Sequence, residues 1–185
     1  MSWLEAVAVI ITAFGVWLMA RRSLWCWPVN IVGVVMYMWI FFHAKLYSDM
    51  SLQFFYVGAN IFGWFQWRGR EGGDDTVTVA DPSLREMGAG IAVALAGALA
   101  LGYPMARYTD AVAPWIDSTL TSFSFLAQVW AARRFIENWW LWITLDVFYI
   151  SLFIYKHLYL TSGLYFMMMI LCVYGLYDWR RAARA

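Results

Sequence analysis

Charge is scarce in this chain. Lys, Arg, Asp and Glu make up 14% of its 185 residues, where a soluble domain carries about a quarter. With 63% hydrophobic residues and a mean hydropathy of +0.60, a water-soluble globule is excluded and a membrane protein is expected. Histidine and cysteine are nearly missing too. Cys26 and Cys172 fall inside apolar runs without partners for a disulfide or a metal, so both are read as small packing residues. His43 and His157 lie in corresponding short hairpins, where interfacial polar residues are expected in preference to a metal pair. No metal site and no cofactor is expected. No span carries an HxxxH or DxxD run or a nucleophile–base pair, which removes the machinery of a membrane enzyme. Lysine occurs only at Lys45 and Lys156, both at hairpins, so the mid-span lysine of a retinal-type receptor is lacking. A net charge of +1 gives no reason to expect a nucleic acid partner.

Long apolar runs are plentiful. Crossing about 30 Å of hydrocarbon takes roughly twenty apolar residues, and seven such segments can be laid out, at 3–20, 24–42, 50–67, 87–106, 115–132, 139–156 and 159–178. Met1–Ala20 lacks a basic n-region and a small-residue cleavage motif, so it is not expected to be a cleavable signal. The loops after spans 1, 3, 5 and 7 hold Arg21, Arg22, Arg68, Arg70, Arg85, Arg133, Arg134, Arg180, Arg181 and Arg184. The opposite side holds only Lys45, Arg107 and Lys156. The positive-inside rule then places the C-terminus in the cytoplasm and the N-terminus outside.

The chain also repeats itself. Residues 20–68 align with 132–180 at a constant offset and without a gap, matching Arg21/Arg133, Arg22/Arg134, Trp27/Trp139, Tyr37/Tyr149, Gly63/Gly175, Trp67/Trp179 and others. About fourteen of about forty-nine positions are identical, where composition alone gives roughly four. The repeat recurs four crossings later, so both units enter the membrane from the same side. The expected organisation is a first triple-helix bundle at 1–68, a cytoplasmic linker at 69–86, an inverting linker helix at 87–106 and a second triple-helix bundle at 107–185. Span 4 is Ala- and Gly-rich, which suits a helix wedged between bundles. The fold class expected is an all-α integral membrane protein of seven transmembrane helices in a 3+1+3 parallel repeat, similar to the SWEET carriers, with a substrate site between the halves.

Polar side chains in a membrane helix turn towards protein or an aqueous cavity. Gln53, Tyr56, Asn60, Trp64 and Trp67 share one stripe of span 3. Asp117, Thr121, Ser124 and Gln128 share one face of span 5; Asn138, Trp142, Asp146 and Tyr149 share one of span 6, with Trp139 beside them. Three such faces suggest a common cavity. Amides and hydroxyls also join helices, and Trp67, Trp139 and Tyr47, taken singly, fit an interfacial belt better than a ligand site. Asp117 fits a helix N-terminus. Asp146 sits mid-span with no Lys or Arg in any span core to pair with it. Aromatic faces attract flat cationic rings, amides suit an amide or ribose hydroxyls, and no embedded basic cluster awaits a phosphate. A neutral or cationic heterocycle fits.

Two segments carry a family resemblance. LYSDMSLQFFYVGANIFGWFQW (Leu46–Trp67) and ENWWLWITLDVFYI (Glu137–Ile150) resemble the PnuC family of bacterial vitamin transporters, through Gln53, Asn60, Gly63, Trp64 and Trp67 on span 3 and Glu137, Asn138, Trp139 and Trp142 on span 6. The resemblance covers essentially the whole chain. It implies uptake of nicotinamide riboside by facilitated diffusion across the bacterial inner membrane, trapping by cytoplasmic phosphorylation, and a homotrimer in the lipid bilayer. Relatives carry thiamine or riboflavin, which are the alternative substrates. Substrate-binding residues are expected at Gln53, Asn60, Trp64, Gln128, Asn138, Trp139, Trp142, Asp146 and Tyr149. The departure is Asp146, where nicotinamide riboside carriers tend to have Asn.

Overall fold

The computed structural model describes residues 3–43, 47–68, 78–109, 113–155, 157 and 159–184. They form seven α-helices: α1 (Trp3–Ala20), α2 (Cys26–His43), α3 (Tyr47–Arg68), α4 (Leu84–Tyr108), α5 (Pro114–Ala132), α6 (Glu137–Tyr155) and α7 (Tyr159–Ala182). Each coincides with one expected span. α3, α4 and α7 run past the apolar stretch. Half of the expected polar linker (69–77), with Lys45 and Lys156, lies outside the described residues. By length and composition α1, α2 and α4 are apolar enough to cross a membrane. α3, α5, α6 and α7 are of similar length but carry the amides, hydroxyls and indoles noted above.

Local chemistry explains the helix ends. Ser83 caps α4 in a capping box: its hydroxyl accepts from the Glu86 N–H, and the Glu86 carboxylate accepts from the Ser83 N–H. Pro114 opens α5, where a missing N–H leaves nothing unsatisfied. α1 and α5 end alike. Arg22 and Arg134 take left-handed backbone (φ 57° and 66°). The Arg22 N–H donates to Met19 O and the Ser23 N–H to Leu18 O, as the Arg134 N–H does to Ala131 O and the Phe135 N–H to Trp130 O. These are matched Schellman turns, with arginine where glycine is usual.

Packing obeys the same repeat. α1 packs on α2 and α2 on α3; α5 packs on α6 and α6 on α7; α1 meets α7 and α3 meets α5. Together these contacts close a ring in the order α1–α2–α3–α5–α6–α7, and every contact has a counterpart under the repeat. α4 stands outside the ring against α5. Its small residues allow a close approach: the Ser122 hydroxyl donates to Ala94 O at 2.7 Å, and a Cβ on Gly97 would lie 2.5 Å from that hydroxyl. Residues before α4 strap onto the end of α5. The Ala80 N–H donates to Arg134 O at 3.0 Å, and Arg134 Nη1 donates back to Thr78 O at 3.0 Å.

Candidate functional site

One end of the ring is floored by four indoles. Trp27, Trp67, Trp139 and Trp179 come from α2, α3, α6 and α7, and none is more than 1% exposed. Trp27 meets Trp67 edge-on at 5.2 Å, Trp139 meets Trp179 likewise at 5.5 Å, and Trp67 and Trp179 lie 6.0 Å apart across the repeat. Two glycines make the room. A Cβ on Gly63 would collide with the Trp27 ring, and one on Gly175 would come within 2.6 Å of the Trp139 ring. Each half then latches the other. Trp67 Nε1 donates to Ala132 O at 3.0 Å at the end of α5, and Trp179 Nε1 donates to Met19 O at 3.1 Å at the end of α1. The belt expected at Trp67 and Trp139 is therefore corrected: both indoles turn inward, Trp67 because its N–H serves the carbonyls that end α5 and Trp139 because Gly175 leaves room for its ring. Beneath the floor, Arg22, Thr78, Val79 and Arg134 close over Trp67 and Trp179, leaving a cleft without room for a water molecule.

Seven residues along a helix is nearly two turns, about 10 Å, and returns to the same face. Asn60, Asp146 and Cys172 each stand seven residues from a floor tryptophan (Trp67, Trp139 and Trp179), so they share one layer facing the ring's interior. All three are buried: Asn60 is 2% exposed, Asp146 4% and Cys172 5%. Gln128 Nε2 on α5 donates to Asn60 Oδ1 at 3.4 Å, and Asn60 Nδ2 donates to Tyr56 O at 2.7 Å. The Cys172 thiol lies 3.8 Å from Asp146 Oδ2.

Hydroxyls and rings occupy the next turn outward. Tyr165 on α7 lies within electrostatic reach of Tyr37, Tyr56, Tyr149 and Asp146, so α2, α3, α6 and α7 converge here. The Tyr149 hydroxyl is 3.5 Å from Ser124 Oγ on α5, and its ring lies 4.7 Å from that of Tyr165. Tyr56 packs on Phe125 at 5.1 Å.

Of the expected site residues, Asn60 and Gln128 meet by a hydrogen bond, and Asp146 and Tyr149 stand about one turn apart on α6. Gln53 is half-buried on the Asn60 face, one heptad outward, and Trp142 is half-buried between the floor and the α5–α6 core. Trp139 belongs to the floor. Asn138 lies beside it, its Nδ2 donating to Phe135 O at 2.6 Å while its buried Oδ1 has no partner among the described residues. Trp64 is 37% exposed. Sequence reasoning passed over Tyr37, Tyr165 and Cys172. The Tyr37/Tyr149 identity and the seven-residue steps Tyr165–Cys172–Trp179 were the available signals. Among the described residues no His, Cys, Asp and Glu group could hold a metal.

The sequence profile of the family described as nicotinamide mononucleotide transporter matches residues 2–181. The nicotinamide riboside transporter PnuC of Escherichia coli is 24% identical over 209 residues, covering 100% of this chain and 87% of its own length. The riboflavin/roseoflavin transporter RibM of Streptomyces davaonensis is 28% identical over 181 residues, covering 96% and 84%. PnuC of Neisseria mucosa is 25% identical over 195 residues, covering 99% and 74%. A crystal structure of the vitamin B3 transporter PnuC shares the fold, with a TM-score of 0.79 at 24% identity over 99% of this chain and 83% of that one. With a match that spans all seven helices, the chain belongs to the nicotinamide mononucleotide transporter family, as a multi-pass inner-membrane transporter of a small molecule.

Proposed function

We propose that this transporter takes up nicotinamide riboside by facilitated diffusion and that cytoplasmic phosphorylation traps it. The observation that carries this reading is the interior layer of Asn60, Gln128 and Asp146 between an indole floor and a tier of tyrosines. The two amides offer donors and acceptors for a carboxamide and ribose hydroxyls. The rings of Trp142, Tyr149 and Tyr165 offer faces to a pyridinium. A mononucleotide, as in the family's description, would bring a phosphate, and no Lys or Arg stands among these interior groups to receive one. The nucleoside is therefore the better fit, as in the PnuC relatives of E. coli and N. mucosa. Gln53, Trp64, Asn138 and Trp139 complete the proposed binding set. Thiamine is the second reading: Asp146 suits its cationic, amine-bearing rings. RibM gives riboflavin a place in the comparison.

The arginine bias supports an external N-terminus and a cytoplasmic C-terminus, which puts the indole floor at the cytoplasmic end. The units 1–68 and 107–185 would then move against each other about 87–106, in a homotrimer like that implied by the family. The test is uptake of labelled nicotinamide riboside into proteoliposomes without ATP or an ion gradient, with thiamine and riboflavin as competitors. Saturable uptake blocked best by unlabelled nicotinamide riboside is expected; uptake blocked only by thiamine or by riboflavin reassigns the substrate.

A further inference from the structure

We infer that Asp146 is a charge-selecting residue, whose carboxylate makes the transporter prefer a cationic heterocycle over an uncharged ring of the same shape. The inference rests on the reading of the interior layer as the substrate site and adds what that layer discriminates.

Symmetry isolates Asp146. The scaffold around it is duplicated: Trp27/Trp139, Trp67/Trp179 and Gly63/Gly175 occupy matching places with matching contacts, and Arg22/Arg134 take matching backbone turns. The interior layer is not. Asp146 on α6 corresponds to Val34 on α2, Gln128 on α5 to Val16 on α1, and Asn60 on α3 to Cys172 on α7. The α1–α2 side of the layer thus contributes apolar groups, while α3 and α5 form an amide pole and α6 and α7 a carboxylate pole. Valine fills the equivalent place in the first unit, so the fold itself does not require an acid there.

The carboxylate also lacks a structural partner. It is 4% exposed, in a span core, and its one polar contact among the described residues is the Cys172 thiol at 3.8 Å. A thiol is a weak donor and does little for a carboxylate removed from water. Among the described residues the ion pairs Arg22–Asp178 and Arg133–Glu86 join helix ends. A buried acid without a cation favours a guest that brings one. An uncharged guest leaves it unpaired, so charge is what this position reads.

The test compares two ligands of one shape on the purified, intact transporter by equilibrium binding. Nicotinamide riboside carries a pyridinium charge; its reduced dihydropyridine form keeps the ribose and amide but is neutral. Wild type should bind the cation about ten- to a hundredfold more tightly, the range of a charge-assisted contact. Asp146→Asn should cut that preference to at most the several-fold that the aromatic faces supply, and Asp146→Glu should keep it. Equal binding by wild type, or an undiminished preference in Asp146→Asn, overturns the inference while leaving nicotinamide riboside as substrate. If Asp146→Asn does not fold, the same pair is compared on Asp146→Val, valine being the residue at the equivalent place in the first unit, and an undiminished preference there overturns the inference. If neither form binds, the nicotinamide riboside reading fails. Thiamine and its uncharged 3-deaza analogue then pose the same question, and the same outcomes decide it; binding of neither pair overturns both.

Discussion

Asn60 and Gln128 meet at a single hydrogen bond of 3.4 Å, which leaves most of their donors and acceptors free for a guest. Asn60→Leu strands the Gln128 amide and removes a ligand contact, a loss of about 1–3 kcal/mol for the ligand that used it. Calorimetric titration should show the loss for nicotinamide riboside and spare an analogue lacking the carboxamide. An equal loss for both would remove amide recognition from this residue. Trp142→Ala is expected to weaken binding of a cationic ring several-fold or more, since a desolvated cation–π contact contributes about 0.5–2 kcal/mol; unchanged affinity would take the indole out of the site. The polar stripes on spans 3, 5 and 6 made Asn60, Gln128, Asp146 and Tyr149 legible in sequence, because an amide or an acid in a membrane helix has few places to face. Cys172 and Tyr165 were not legible. Cysteine packs as a small apolar residue, and tyrosine belongs equally to interfacial belts, so only the contacts on the opposing helices reveal them.

Helix packing sorts the glycines. Gly63→Ala and Gly175→Ala push a methyl into rigid indole rings, and overpacking of this kind costs about 1–3 kcal/mol. Gly58→Ala and Gly163→Ala meet nothing within 4 Å and should leave stability unchanged or raise it by up to about 1 kcal/mol through helix propensity. Thermal unfolding in detergent checks the contrast; similar midpoints for the two sets would mean that the floor is not tightly packed. The α4 capping box adds a dependence on pH. The Ser83 backbone N–H and hydroxyl bonded to the Glu86 carboxylate hold its pKa below the ordinary 4.5. A lowered folded-state pKa stabilises the fold above the unfolded value, and that contribution is lost as pH falls through the folded one. Glu86→Gln should flatten the acid side of the stability profile below about pH 4.5; an unaltered acid limb would sink the assignment. The apolar runs located all seven helices, since roughly twenty apolar residues leave few alternatives. The turns after α1 and α5 were hidden because arginine, not glycine, takes the left-handed position, and only the Arg22/Arg134 repeat pointed to it.

A closed ring of six helices with a shared interior was partly legible as well. The repeat announced equivalent halves, but which helices meet across them depends on Trp67 reaching Ala132 O and Trp179 reaching Met19 O, and no pattern within one helix encodes a partner's terminal carbonyl. The same arrangement bears on energy coupling. Proton-driven transport needs a titratable group that meets both substrate and water, and Asp146 is the one acid in the interior layer. Close to it stand Tyr165 and the Cys172 thiol. Among the described residues the polar contact of Asp146 is the Cys172 thiol, neither a histidine nor a second acid, so transport is expected to run downhill. Counterflow in proteoliposomes loaded with unlabelled nicotinamide riboside should reach the same plateau with and without an imposed pH gradient. Asp146→Asn should still exchange at saturating substrate, its charge preference altered. Accumulation above equilibrium, driven by protons and abolished in Asp146→Asn, would make this chain a symporter and overturn facilitated diffusion.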